Sequence, residues 1–213
     1  MVGERTALIN QLRAILLERG ITVAQGRRRL ERHLVGMDAQ NDLSERMRLL
    51  IEDMRVQWCE LDRRIALLDA QLAEWARNEE AARRLMTIPG IGVLNATALV
   101  AAIGQGESFA RGRDLAAWLG LVPRQVTTGG KPRLLGISKR GNKYLRKLLI
   151  HGARAALPSL LESPTPLGAW LRGLTTRMHK NAAVVALANK LARMAWAVLR
   201  HDDTFHIDAS AVA

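Results

Sequence analysis

Carboxylates are nearly missing from the second half of this 213-residue sequence. None stands between Asp114 and Glu162, an interval that holds nine Lys and Arg. Cysteine is almost absent as well: Cys59 is alone, which excludes an internal disulfide and a cysteine-based metal cluster. Cys59 is expected to be a small apolar helix residue. The five histidines show no ligand spacing, and Glu107, Asp114 and Glu162 are isolated from one another. A two-metal nuclease site needs several converging carboxylates, so residues 87–200 are not expected to hold one. The apolar stretches around 96–103 and 182–188 are too short to span a bilayer. The start, Met1-Val2-Gly3-Glu4-Arg5, turns amphipathic at once and does not resemble a signal peptide. These absences predict a cytoplasmic chain with no membrane partner.

What is present divides unevenly. Residues 1–86 carry 15 basic and 14 acidic side chains, whereas residues 87–200 carry 17 basic and 3 acidic. The tail from His201 holds three Asp and no Lys or Arg, which brings the formal net charge to +12. The front half is balanced and the back half is built to meet an anion. An uncompensated field of that size suits a phosphodiester backbone. A helical scaffold with no nucleic-acid partner would leave it unexplained.

The periodicity predicts an all-α protein with one irregular loop or small β-hairpin. Leu8, Leu12, Ile15 and Leu16 recur at helical spacing up to Gly20, and a shorter helix carries Leu30, Leu34 and Val35. Arg27-Arg28-Arg29 opens that helix and reads as a solvated face. From Asn41 to Arg84 there is no Gly or Pro. Apolar side chains fall there at Met47, Leu50, Met54, Trp58, Leu61, Ile65, Leu68, Leu72 and Trp75. Their three-and-four steps make the seam of a coiled coil with one stutter. The early helices look too short to cover it, so the expected cover is the same helix of a second chain. The expected division is a helical segment over 1–40, the long helix over 41–86, a basic domain over 87–200 and a tail over 201–213.

Ile88-Pro89-Gly90-Ile91-Gly92, followed by a helix over Asn95–Ile103, has the pattern of a helix-hairpin-helix. Gly90 and Gly92 permit a tight turn whose N–H groups can seat phosphate. The alternative is a hairpin that serves packing alone. A short helix over Asp114–Leu119 closes at Gly120. Pro123 to Leu135 then turns at Gly129-Gly130. Ser138 is expected to cap a helix over Lys139–Leu157 that Pro158 ends, and Thr165-Pro166 starts another. The last helix, from Lys180 to Arg200, buries Val184, Leu187, Leu191, Met194, Ala195 and Leu199. Gly129-Gly130-Lys131 is followed by Pro132, so it is no nucleotide-binding loop. The chemistry left to this chain is attack by a hydroxyl. Thr127 and Thr128 lie beside backbone donors and cations in the glycine loop. Tyr144, the single tyrosine, is expected to be a half-buried helix residue.

Ile88–Gly92, Leu119–Gln125, Gly136–Asn142 and Ala186–Arg193 together resemble the C-terminal half of bacterial insertion-sequence transposases of family 110, nearest its 1111 subgroup. The resemblance covers nearly the whole chain, and the first helix and long helix are similar to the connecting segment of that family. Family members place a RuvC-like, metal-binding nuclease domain ahead of that segment, and this chain is expected to begin just after it. Magnesium is thus expected only with that domain, and no cofactor within this chain. The family is described as using a serine in its C-terminal domain that bonds covalently to DNA. That serine falls on Thr128, which keeps the hydroxyl and adds a methyl group. The resemblance also implies oligomers and a noncoding guide RNA. The expected site is catalytic Thr128, with DNA contacts from Gly90, Gly92, Arg124, Lys131, Arg133, Lys139, Arg140, Lys143, Arg146 and Lys147. The leading expectation is the DNA-binding portion of a transposase acting in DNA transposition and recombination. The other is a non-catalytic fragment that regulates the full-length enzyme.

Overall fold

The computed structural model describes residues 1–36 and 43–206. Within them the chain is mostly helical, with one two-stranded antiparallel sheet. Two compact units form, Met1–Gln71 and Leu72–Ala213.

The first unit contains α1 (Val2–Glu18), α2 (Arg27–Val35) and most of α3 (Glu45–Asn78). Leu12 and Leu16 of α1 and Leu30 and Leu34 of α2 are buried in one cluster with Ile51, Met54 and Trp58 of α3. Covering side chains of this size contributes roughly 2–3 kcal/mol each. Asp62 accepts ion pairs from Arg5 at 2.9 Å and Arg27 at 3.1 Å, which tie α1 and α2 to α3. The early helices therefore do cover the N-terminal part of the seam, contrary to the expectation from their length. Two short helices meeting α3 from one side reach further than either would alone. The buried position is Ile51, while Leu50 is exposed. Further along, Leu67, Leu68 and Trp75 remain exposed. The long helix is also shorter than expected. It stops at Asn78, extended backbone at Glu79 breaks it, and α4 (Glu80–Leu85) follows. The expected start at Asn41 lies outside the described residues.

In the second unit, α9 (Lys180–Arg200) is the central element and packs on α4, α6 (Gly112–Trp118), α7 (Lys143–Glu162) and α8 (Pro166–Thr175). By length and composition α9 could cross a membrane, but its apolar stripe is the core here, with Leu187, Leu191, Ala195 and Leu199 buried. Helix α5 (Val93–Ile103) lies against α4 and α7. Thr165 caps α8 by accepting from the Gly168 N–H at 3.2 Å.

Helix α7 departs from expectation at both ends. Asn142, not Ser138, caps it, its Oδ1 accepting from Leu145 N–H at 3.0 Å. Lys139 has a left-handed backbone, φ 58°, which a helix cannot include. Pro158 lies inside the helix, which continues to Glu162. Leu157 and Leu160 are buried on either side of it, and that packing outweighs the one hydrogen bond proline removes.

Candidate nucleic-acid interface

Strands β1 (Pro123–Thr128) and β2 (Lys131–Ile137) form a hairpin. Gly129 and Gly130 both have positive φ, 56° and 75°, the requirement of a two-residue turn whose twist matches the strands. Thr128 pairs with Lys131, Thr127 with Pro132, Val126 with Arg133 and Gln125 with Leu134. Cross-strand partners share a face, and successive residues alternate. Thr128 therefore lies on the face that carries Val126, Lys131 and Arg133, while Thr127 lies on the neutral face with Gln125, Pro132 and Leu134. Thr127 Oγ1 accepts from Gln125 Nε2 at 3.4 Å, and Thr128 Oγ1 has no protein partner among the described residues. Arg124 falls at a register shift between Pro123 and Gln125. Every residue from Pro123 to Gly136 is exposed, so this ribbon buries little of itself.

The base of the hairpin is fixed. Ser138 N–H donates to the Val122 carbonyl at 2.8 Å, and Asn189 Nδ2 of α9 donates to the Leu121 carbonyl at 3.2 Å. The loop that follows lies backbone-to-backbone on the end of α6. A Cβ on Gly120 would collide with the Arg140 carbonyl, and one on Gly141 with the Trp118 carbonyl. Lys139 N–H donates to the Gly120 carbonyl at 3.1 Å. This packing leaves the Lys139 and Arg140 side chains exposed beside the hairpin.

Arg146 behaves differently from its neighbours. It is 9% exposed, and its Nη1 donates to the Leu119 carbonyl at 2.9 Å and the Arg140 carbonyl at 2.8 Å. Its guanidinium clamps α6 to the loop and is not offered to a ligand. Lys143, Tyr144 and Lys147 stand exposed on the first turns of α7. Tyr144 is 59% exposed, where the sequence predicts half-burial, because Leu145 and Leu149 form the face that turns inward. Lys143 opposes the helix macrodipole, and no acid lies in the first turn to offset it. A bound anion would relieve that repulsion.

Gly90 and Gly92 lie elsewhere, against a later turn of the same helix. A Cβ on Gly90 would sit 2.8 Å from the Gly152 carbonyl, so this glycine lets the turn settle on α7. Gly152 is nine residues after Lys143, roughly 14 Å along the axis. Ile91 is buried beneath the turn, and Asn95 Nδ2 donates to the Gly90 carbonyl at 3.1 Å. Gly92 is exposed with open space at its Cβ position. The structure thus gathers Thr128, Lys131, Arg133, Lys139 and Arg140 around the hairpin and its loop, and gives Gly90 a packing reason.

The field over this surface is uncompensated. The ion pairs among the described residues fall within residues 1–84 or involve Asp202 and Asp203. Among the described residues no three His, Cys, Asp or Glu come together as a cation site. Arg111, Arg113, Lys190 and Arg193 line cavities against α9 and were not singled out from sequence. For the pair on α9, spacing on the partly exposed side of an apolar helix was the available signal. Lys190 Nζ lies 5.2 Å above the Trp170 ring. Burial, with a smaller push from Arg193, holds its ammonium below the usual lysine range.

An exposed basic hairpin thus stands on a helical body, and among the described residues its cations form no ion pair. Residues 82–163 match the family described as Transposase IS116/IS110/IS902. The chain is 40% identical over 211 residues to the transposase for insertion sequence element IS1111A of Coxiella burnetii, covering 98% of this chain and 58% of that protein. It is 39% identical over 205 residues to the transposase for IS1328 of Yersinia enterocolitica, covering 96% and 61%. A probable family 20 transposase of Pseudomonas aeruginosa is 39% identical over 208 residues, covering 96% and 62%. The chain belongs to the IS116/IS110/IS902 transposase family. It spans about three-fifths of the length of these relatives.

Proposed function

We propose that this chain is the DNA-binding, serine-type C-terminal portion of a transposase, and that its reaction is attack by the Thr128 hydroxyl on a DNA phosphodiester. The observation that carries the reading is the placement of Thr128 with Lys131 and Arg133 on one exposed face of the hairpin. Thr128 Oγ1 bonds to phosphorus as one ester P–O bond breaks. The proton of the hydroxyl passes to solvent or a base, and the departing strand oxygen takes up a proton. One phosphodiester replaces another, so no energy-rich co-reactant is consumed. Lys131 is the cross-strand neighbour of Thr128, placed to offset charge gathering on the phosphoryl oxygens.

Lys139, Arg140, Lys143 and Lys147 extend the surface and position the DNA through its phosphates. The turn at Gly90–Gly92 acts as a helix-hairpin-helix with the exposed Gly92 end towards the backbone of the nucleic acid. Cytoplasmic oligomers form along the exposed coiled-coil seam of α3, and the guide RNA and metal-bearing domain of the family complete the working assembly. The threonine methyl favours one second reading, a non-catalytic fragment that binds DNA and regulates full-length enzyme.

Titration of the full chain with duplex DNA at several salt concentrations tests the binding. The expected result is tight binding at low salt that weakens steeply. Lys131→Ala with Arg133→Ala should lower the salt slope by about 0.9 for each phosphate no longer neutralised. Absence of duplex binding at low salt would overturn both readings.

A further inference from the structure

The two cavities against α9 share a wall. Asn189 and Arg193 line both, one about 600 Å³ in volume and the other about 830 Å³. Their α9 residues, from Ala182 through Ala186, Asn189 and Arg193 to Ala197, recur every three or four positions and so form one stripe. The cavities are therefore consecutive sections of one groove along the side of α9 that the core leaves uncovered. Cations line it throughout: Arg111, Arg113 and Arg193 in the first section, Lys139, Lys190 and Arg193 in the second. Among the described residues neither section has a carboxylate in its lining. The rest of the lining is mostly apolar, with Leu121, Ile137 and Val185 together with the amides of Asn181 and Asn189, and Trp170 stands beneath Lys190.

We propose that this groove holds a single strand of DNA, next to the duplex on the hairpin face, with Lys139 at the border of the two surfaces. The inference rests on the reading of the second unit as a DNA-binding domain and adds the strand state and its place. The charge selects a polyanion, and the shape selects the strand state. A duplex keeps its bases stacked inside and would present only phosphates to these cavities, leaving Trp170 and the apolar lining without a partner. An unpaired strand offers both phosphates to the cations and base faces to the apolar wall and Trp170. The reading of the second unit as a DNA-binding domain makes that strand DNA, with the amides of Asn181 and Asn189 as uncharged polar groups in the lining. Burial and Arg193 weaken the hold of Lys190 on its proton, and a phosphate beside it would restore that hold.

The test uses the full chain and a short oligothymidylate, with a duplex and an oligouridylate as comparison probes. Photocrosslinking of the unmodified chain to oligothymidylate carrying 5-iododeoxyuridine should label peptides containing Trp170 or residues 178–193. K190Q combined with R193Q should weaken oligothymidylate binding about tenfold at low salt and lower its salt slope by roughly 0.7 per phosphate. Duplex affinity should change by no more than about twofold, since the hairpin cations are intact. Crosslinks confined to the turn end of the hairpin, residues 126–133, unchanged oligothymidylate affinity in the double variant, or equal binding of oligouridylate would each overturn the proposal. Duplex binding without any oligothymidylate binding would sink this inference alone. Binding of neither probe would remove the DNA-binding reading as well.

Discussion

Arg146 Nη1 donates to the main-chain carbonyls of both Leu119 and Arg140, and so a single buried guanidinium joins the end of α6 to the loop that follows the hairpin. This cation belongs to the fold, although it stands in a run of surface cations. Arg146→Ala would leave two carbonyls without their charged donor. It should cost about 3 kcal/mol and lower the melting temperature by roughly 10 °C. Arg140→Ala, which removes only an exposed side chain, should leave the melting temperature unchanged. Thermal unfolding of the two variants checks this. Equal, small effects would mean that Arg146 is another surface cation.

The long helix α3 has two fates along its length. Trp58 is 3% exposed in the cluster with α1 and α2, whereas Leu68 is 40% exposed. Trp58→Ala should destabilise the first unit by about 3–5 kcal/mol. Leu68→Glu should leave the helix content intact and shift the chain from dimer to monomer in sedimentation. A wild-type chain that sediments as a monomer at micromolar concentration would contradict the interface.

Lys190 should titrate below the ordinary lysine range. Its pKa lies below the ordinary 10.5, first because burial disfavours the ammonium and then because Arg193 repels it. The unfolded chain therefore binds more protons in the window between the lowered value and 10.5. In that window the contribution of Lys190 to stability rises with pH. NMR of chain with isotopically methylated lysines measures it directly. A Lys190 signal that titrates at or above the ordinary 10.5 would contradict the burial of its ammonium.

The sequence was legible where periodicity or turn chemistry is local. The Gly129-Gly130 turn, the start of α8 at Thr165-Pro166 and the buried stripe of α9 all appear as expected, because each depends on neighbours within a few positions. It was not legible where distant packing decided. Ile51 displaces Leu50 because α1 and α2 approach from a direction that heptad counting does not carry. Pro158 stays helical because Leu157 and Leu160 are both held in the core. Asn142 takes the cap from Ser138 because Gly120 and Gly141 press the intervening loop onto α6. Arg146 reads as one more cation in a basic run until the carbonyls it binds are in view. The separation of Thr128 from Thr127 needed the strand register.

Attack of the Thr128 hydroxyl on DNA is tested most directly by reconstitution. The chain is combined with a metal-binding N-terminal domain and guide RNA from its family and with substrate DNA, and any protein–DNA adduct is mapped by mass spectrometry. The predicted adduct lies on the hairpin peptide at Thr128. Thr128→Ser should raise its yield by removing the methyl that crowds the phosphate, and Thr128→Ala should abolish it, while the chain without those partners should form none. An adduct that persists in Thr128→Ala, or that maps to Ser138 or Tyr144, would contradict a nucleophile at Thr128.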